Sequence, residues 1–368
     1  MPGLQSAQEN GSGAHGDVLH ATLLSGRPTS PFACNHTMKR HTVLIAQLAV
    51  VLLVGACQAR GADTTPIAVE ATSAATVLGR REYMVEERLV LTNSGPGVPE
   101  KQNVWAALIR SLPPYQQVTS LTISPENYTL VEDEYGNQYA EFDLSDHPAE
   151  SVVTVEIIAR VIVNELKYDL TQCSGELPRD FVQPELHIES ANAQIVKLSQ
   201  DLSAGQDTVC AIVRAFYEYI GDELIYTFNG RNWGAQAALG PMGADCTEYT
   251  SLLIALSRAQ GIPARYFEGL RYLESGSESG ARVEHAWPDV YLPGIGWVAM
   301  DPTLGRSSLS RDTYFAHYTP DHIIVTTGRN PSTLRGSSYW THLYWPGETT
   351  TITVESAGWK IQRVDEDS

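Results

Sequence analysis

Three residues, far apart in the chain, have the types from which a thiol nucleophile is assembled: Cys246, His285 and Asp301. A cysteine attacks a carbonyl only as the thiolate, and the acidic neighbours Asp245 and Glu248 disfavour that form. A protonated imidazole nearby favours it. A carboxylate beside the imidazole fixes the ring's tautomer and stabilises the imidazolium. Singly, each residue reads blandly. A strand histidine is more often structural than catalytic, and an aspartate before proline is usually a turn former. Their value depends on what brings them together.

For Cys246 the positioning element is a helix. In GADCTEYTSLLIAL (243–256), Asp245 and Glu248 form a D-x-x-E capping box, so the helix begins beside the cysteine. Tyr249, Leu252, Leu253 and Leu256 give it an apolar face, and Gly261 and Pro263 close it. The carboxylates are then caps, and the helix N-terminus itself favours a thiolate. For the other two residues the element is a hairpin. VEHAWPDVYLPGIGWVAMDPT (283–303) reads as strand, turn and strand, with His285 on the first strand, Gly294 and Gly296 at the turn, and Asp301 ending the second. Residues equidistant from the turn face one another, which brings His285 towards Asp301.

At these two segments the chain resembles the bacterial transglutaminase-like superfamily, with its papain-like thiol arrangement. The shared features are a cysteine opening a helix, the G-I-P-A-R step into a strand, H-A-W, and G-W followed by D-P-T, over roughly residues 190 to 305. The resemblance implies Cys246 as nucleophile, His285 as general base and acid, and Asp301 as orienting carboxylate. It departs mildly at Asp289, where the family's acid is commonly Glu; we read Asp289 as structural. An oxyanion hole would use the Cys246 backbone N–H. Its side-chain donor is left open between Gln236 and Trp233 in NGRNWGAQAALG, each of which also reads as packing.

The implied chemistry is attack on a peptide or carboxamide carbonyl, a thioester acyl-enzyme, and protonation of the departing amine by His285. Transfer to water makes a peptidase or amidase; transfer to a lysine amine makes a cross-linking enzyme. Hydrolysis is slightly favoured. The rival reading is a non-catalytic binding or scaffolding protein of the cell envelope. No cofactor and no metal is expected: the chain lacks a C-x-x-C pair, an H-E-x-x-H, a D-x-D-x-D-G loop and a Walker loop.

The expected fold class is α+β. An N-terminal β-sandwich spans 81–170, on alternating segments such as REYMVEERLVLTNSGPG and SVVTVEIIARVIVNEL, with a hairpin turn at Tyr135-Gly136-Asn137. A linker over 171–189 leads to a papain/transglutaminase-like domain over 190–310, with the cysteine-bearing helix packed on an antiparallel sheet. A C-terminal β extension of that core takes 311–368. Two helices precede the cysteine, one ending at Gly205 and one at Gly221. Cys210 inside the second reads as a small buried hydrophobe, or as the partner of Cys173 in a disulfide that an exported chain allows.

Export is the expectation from the N-terminus. MKRHTVLIAQLAVVLLVGACQA starts at Met38 with Lys39 and Arg40, continues with an apolar run from Val43 to Val54, and ends in Val54-Gly55-Ala56-Cys57, similar to a bacterial lipobox. A run of about a dozen residues falls short of the roughly 20 a membrane span needs. The reading is a leader at 1–37 upstream of the true start, a signal peptide at 38–56, lipidation of Cys57, and a flexible tether over 57–80. Partners are then a protein or peptide substrate and a membrane, reached through the lipid. A net charge of −18 argues against nucleic acid, which needs a basic face. The oligomeric state is not legible.

Overall fold

Two long strands with period-two burial carry the N-terminal half. In the computed structural model of the chain, which describes residues 75–228, 234–274, 283–345, 347 and 349–364, β1 is Ala75–Asn93 and β6 is Ser151–Tyr168. In β1 the buried side chains are Tyr83, Val85, Glu87, Leu89, Leu91 and Asn93, every second residue, as a pleated strand with one face on a core requires. Between them lie β2 (Lys101–Leu108), β3 (Gln116–Ser124), β4 (Thr129–Glu132) and β5 (Gln138–Asp143). The β4–β5 turn uses Gly136 at φ +73°, and the Asp133 carboxylate accepts from the Tyr135 and Asn137 amides.

The central part is helical and then antiparallel: α1 (Ala193–Ser203), α2 (Val209–Glu223), α3 (Ala235–Ala238), α4 (Cys246–Ala259), β7 (Ala264–Arg271), β8 (Glu284–Leu292) and β9 (Gly296–Ala299). It is followed by α5 (Arg311–Tyr314), β10 (His317–Tyr318), β11 (His322–Thr327), β12 (Trp340–Trp345) and β13 (Ile352–Val364). Three sheets result. One has the order β10-β6-β1-β13 with β3 also on β6; a second has the order β12-β2-β5-β4; the third, β11-β7-β8-β9, carries α4. The first two enclose a small apolar core that includes Leu89, Val104, Phe142 and Val155. The α+β class and the helix-on-antiparallel-sheet domain are therefore as the sequence indicates.

Several boundaries differ from those read in the sequence. The tether cannot run to residue 80, because Ala75–Arg80 already pairs with β6, from Ala75↔Tyr168 to Arg80↔Asn164. Small residues suggested a linker there, but the length of β6 supplies a partner. The sandwich is not complete within 81–170. β13 pairs with β1 from Glu82↔Val364 to Asn93↔Ile352, and β12 pairs with β2. Of the stretch 311–368, β11 alone joins the third sheet, beside β7, while β12 and β13 return to the sandwich. Alternation marks a strand but does not name its partner. Helix α2 runs through Gly221 to Glu223; a side chain at 221 would crowd the Arg306 backbone.

Nor are sandwich and core separate bodies. Tyr83, Tyr115 and Val161 share one apolar cluster with Leu252 of α4 and Trp287 of β8. The stretch read as a linker is fastened to α2 by a Cys173–Cys210 disulfide. The leader, the signal segment and Cys57 lie outside the described residues. Among the described residues no helix is long and apolar enough to cross a membrane.

Candidate active site

Cys246 is the first residue of α4 and is half-buried. The capping box forms as the spacing predicts: Asp245 Oδ1 accepts from the Thr247 amide at 3.0 Å, and Glu248 Oε2 accepts from the Asp245 amide at 2.9 Å. The Thr247 hydroxyl lies 2.9 Å from Asp245 Oδ1 and 2.8 Å from Glu248 Oε1. Both carboxylates next to Cys246 are thus engaged by donors of the helix start. The chain enters the helix along a short parallel bridge, Tyr226↔Ala244, where Gly243 at φ +78° lies so close to Thr227 that a side chain could not fit. The Thr250 hydroxyl donates to the Ala286 carbonyl at 3.0 Å, which locks α4 to the strand that carries the imidazole.

His285 is buried near the start of β8, opposite Gly269 of β7. A Cβ at position 269 would collide with the Ile323 carbonyl and the Trp287 ring, so only glycine lets β7, β8 and β11 close around the site. The His285 ring stacks on Trp287 at 5.8 Å. Its Nε2 lies 2.6 Å from Asp301 Oδ2, which leaves Nδ1 for the thiol, and the His285 and Cys246 side chains interact. The β8–β9 register runs from Leu292↔Gly296 to Asp289↔Ala299, and continuing it sets Asp301 across from Trp287. The His285–Asp301 contact is therefore diagonal, within reach of the pair but not directly opposite.

Asp301 is buried with four donors on its carboxylate. Oδ1 accepts from the Thr303 and Leu304 amides, each at 2.9 Å; Oδ2 faces His285 Nε2 and, at 3.2 Å, His322 Nε2. Burial alone would raise its pKa, but the two histidines outweigh that and hold the carboxyl well below the usual range. Burial likewise opposes a charged His285. The charge and hydrogen bond of Asp301, with the Cys246 contact, more than offset it and raise the imidazole to about 9.

His322 was not singled out in the sequence. It opens β11 in a stretch, TPDHIIVTTGRN, that reads only as a strand, and its place beside Asp301 follows from β11 pairing with β7. His285, Asp301 and His322 offer donor atoms within 4.8 Å of one another, the composition of a metal site. Ligands tetrahedrally arranged at about 2.0 Å from an ion stand about 3.3 Å apart. The 2.6 Å between His285 and Asp301 is a hydrogen-bond separation instead.

Asp289 proves to be the partner of Arg265, the arginine of G-I-P-A-R. The guanidinium grips both carboxylate oxygens, with Nε to Oδ1 at 3.0 Å and Nη2 to Oδ2, and lies 3.8 Å over the Trp297 ring. The Tyr115 hydroxyl also donates to Asp289, from β3's side of the molecule, at 3.2 Å. Burial opposes the Arg265 charge, but Asp289 outweighs it and holds the guanidinium above its ordinary value. This pair joins β7 to β8.

Of the oxyanion candidates, Gln236 is exposed on α3, with its backbone amide on Glu189 at 3.1 Å and no side-chain hydrogen bond to Cys246 among the described residues. Trp233 lies outside the described residues. The Cys246 N–H belongs to the first helical turn, whose amides make no bonds within the helix. A cavity of about 800 Å³ between α1, α2 and residues 224–227 and 238–243 is lined by Leu198, Tyr219, Ile225 and Met242 and reaches Gly243; neither Cys246, His285 nor Asp301 lines it.

Comparison with known proteins places these observations. Residues 196–302 match the family described as the transglutaminase-like superfamily, in its core domain. A curated relative, the uncharacterized protein YebA of Bacillus subtilis, is 29% identical over 148 residues, 35% of this chain but only 19% of YebA. A crystal structure of a candidate cysteine protease from Cytophaga hutchinsonii superposes with a TM-score of 0.57 at 16% identity, covering 80% of this chain and 93% of that one. The periplasmic domain of TgpA from Pseudomonas aeruginosa aligns more loosely, with a TM-score of 0.31 at 17% identity, over 60% of this chain and 95% of that domain.

Proposed function

We propose that the chain is an exported, lipid-anchored thiol acyl-transfer enzyme working through Cys246, His285 and Asp301, a reading supported by the match of residues 196–302 to the transglutaminase-like core. The observation that carries the reading is the buried His285–Asp301 contact at 2.6 Å, with the imidazole's other nitrogen left to a half-buried thiol at a helix start. The Cys246 thiolate attacks a peptide or carboxamide carbonyl and forms a thioester as the C–N bond breaks. His285 passes its proton to the departing amine, then takes one from the incoming nucleophile and keeps it as cleavage of the thioester releases the thiolate, which restores the ion pair. The Cys246 N–H supports the oxyanion. Hydrolysis is the preferred outcome, since a half-exposed cysteine leaves the thioester open to water.

The Cys173–Cys210 disulfide supports an oxidising compartment, in keeping with a signal segment at 38–56 and an acyl-bearing Cys57. The test of the enzyme reading needs no substrate. The rate of iodoacetamide alkylation at Cys246 is followed against pH in wild type and in His285→Ala, both starting after Cys57. Rapid alkylation near pH 6 that His285→Ala abolishes is the expected result. A thiol titrating near the ordinary 8.5 in both proteins would return the fold to a binding role.

A further inference from the structure

We propose that His322 is a positioning residue of this site: held between Asp301 and Asp321, it shares the Asp301 oxygen used by His285 and thereby fixes that carboxylate and sets the pH range in which the Cys246–His285 ion pair exists. The inference rests on the thiol-enzyme reading and assigns a fourth member to its machinery.

The geometry is specific. His322 Nε2 lies 3.2 Å from Asp301 Oδ2. On the other side of the ring, Nδ1 lies 3.2 Å from Asp321 Oδ1 and 2.9 Å from the Thr319 hydroxyl. A neutral imidazole carries one N–H and can donate to only one of two carboxylates, whereas the imidazolium donates to both. His322 is 2% exposed, so water cannot take the place of either partner. Its ring packs edge-on against Trp287 at 4.8 Å and lies 5.7 Å from the His285 ring. The Tyr318 hydroxyl donates to the His322 carbonyl at 2.6 Å and fixes the backbone.

The surroundings favour the charged ring. Burial alone would lower its pKa, but Asp321 and Asp301 outweigh that and raise it to about 9. Asp321 is itself engaged by Arg271 of β7 at 2.9 Å, and Arg81 of β1 adds positive charge near it. From α5, Tyr314 lies within reach of the charges on Arg271, Asp321 and Asp301; from β1, the Tyr83 hydroxyl donates to the Pro320 carbonyl. With His322 protonated, Arg81, Arg271 and the two imidazoliums outnumber the carboxylates of Asp301 and Asp321 around the His285–Asp301 contact. Two consequences follow. The surplus favours the Cys246 thiolate, and the second claim on Asp301 keeps His285 from binding its proton too tightly to release it to a leaving amine.

The test separates charge from hydrogen bonding. His322→Gln keeps an N–H donor for Asp301 and removes the charge. We expect the acidic limb of Cys246 alkylation by iodoacetamide to move up by about one pH unit, so that the rate below it falls about tenfold. The His285 imidazole, followed by 15N NMR, should also titrate at higher pH. A variant that folds and leaves both where they are in wild type would overturn the proposal. If His322→Gln does not fold, the same spectra of wild-type protein decide: His322 should carry protons on both nitrogens at pH 7, and a proton on one nitrogen alone would sink the idea. Wild type without a Cys246–His285 ion pair would instead defeat the enzyme reading itself.

Discussion

Asp301 has no carboxylate oxygen to spare. Oδ1 caps the turn after β9 and Oδ2 serves the two imidazoles. Replacement by asparagine should therefore spare the turn, which needs only a carbonyl oxygen, and harm the chemistry, because an amide NH₂ now meets ring N–H donors. Asp301→Asn is expected to slow Cys246 alkylation at pH 6 by about 100-fold, because loss of the thiolate–imidazolium pair returns the thiol towards an ordinary titration near 8.5. A pH profile of melting temperature checks the same contact. His285 and His322 are both raised from 6.5 to about 9, so their contribution to stability is full below about 6.5 and is lost as pH rises through 9. Wild type should lose melting temperature over that interval, and Asp301→Asn should show a flatter slope. At this scale the convergence of Cys246, His285 and Asp301 was legible from their types and from the helix and hairpin that carry them. His322 was not, because nothing in DHIIVTT separates an inward histidine from any other strand residue; its role follows from which strand β11 pairs with.

The helix start explains why a nucleophile tolerates two acidic neighbours. Asp245 and Glu248 close the first turn of α4, and the D-x-x-E spacing predicted this. Their negative charge nevertheless stays close to the thiol, which leads to a distinct expectation. Asparagine caps a helix about as well as aspartate, so Asp245→Asn should leave the melting temperature nearly unchanged while iodoacetamide alkylation at pH 6 becomes faster. Slower alkylation with unchanged melting would show that Asp245 supports the site in some way other than capping. The hairpin was also legible, since Gly294 and Gly296 sit at its turn at φ +79° and +97°. Its register was less so. His285 faces Asp301 only if the turn is centred on Pro293, whereas the pairing that forms is centred on Gly294, offsets them and relies on a diagonal contact. Asp289, read as structural from its place in HAWPDV, gains its reason from Arg265: two pieces of the sequence pattern are the two halves of one buried ion pair.

Across the whole molecule, long-range pairing decides what local pattern could not. The long strands β1, β6 and β13 alternate in burial, yet nothing local separates β12 and β13 from the core that precedes them in the chain. They close the sandwich instead, and in doing so they support the site from behind. Tyr339 is buried, and its hydroxyl donates to the Gly269 carbonyl at 2.8 Å, directly across from His285. Trp359 packs on Tyr339 at 5.5 Å, and both belong to the apolar cluster that holds α4 and β8. A chain ending at Asn330 would keep Cys246, His285, Asp301 and His322, but it would open the edges of β1 and β2 and uncover that cluster. Unpaired edges and exposed apolar surface promote association. The truncated protein is therefore expected to aggregate, and any soluble fraction to alkylate Cys246 no faster than an ordinary thiol. Size-exclusion chromatography coupled to the alkylation assay measures both. A monomer with wild-type Cys246 reactivity would mean that the core stands without β12 and β13 and that these two strands serve some other end.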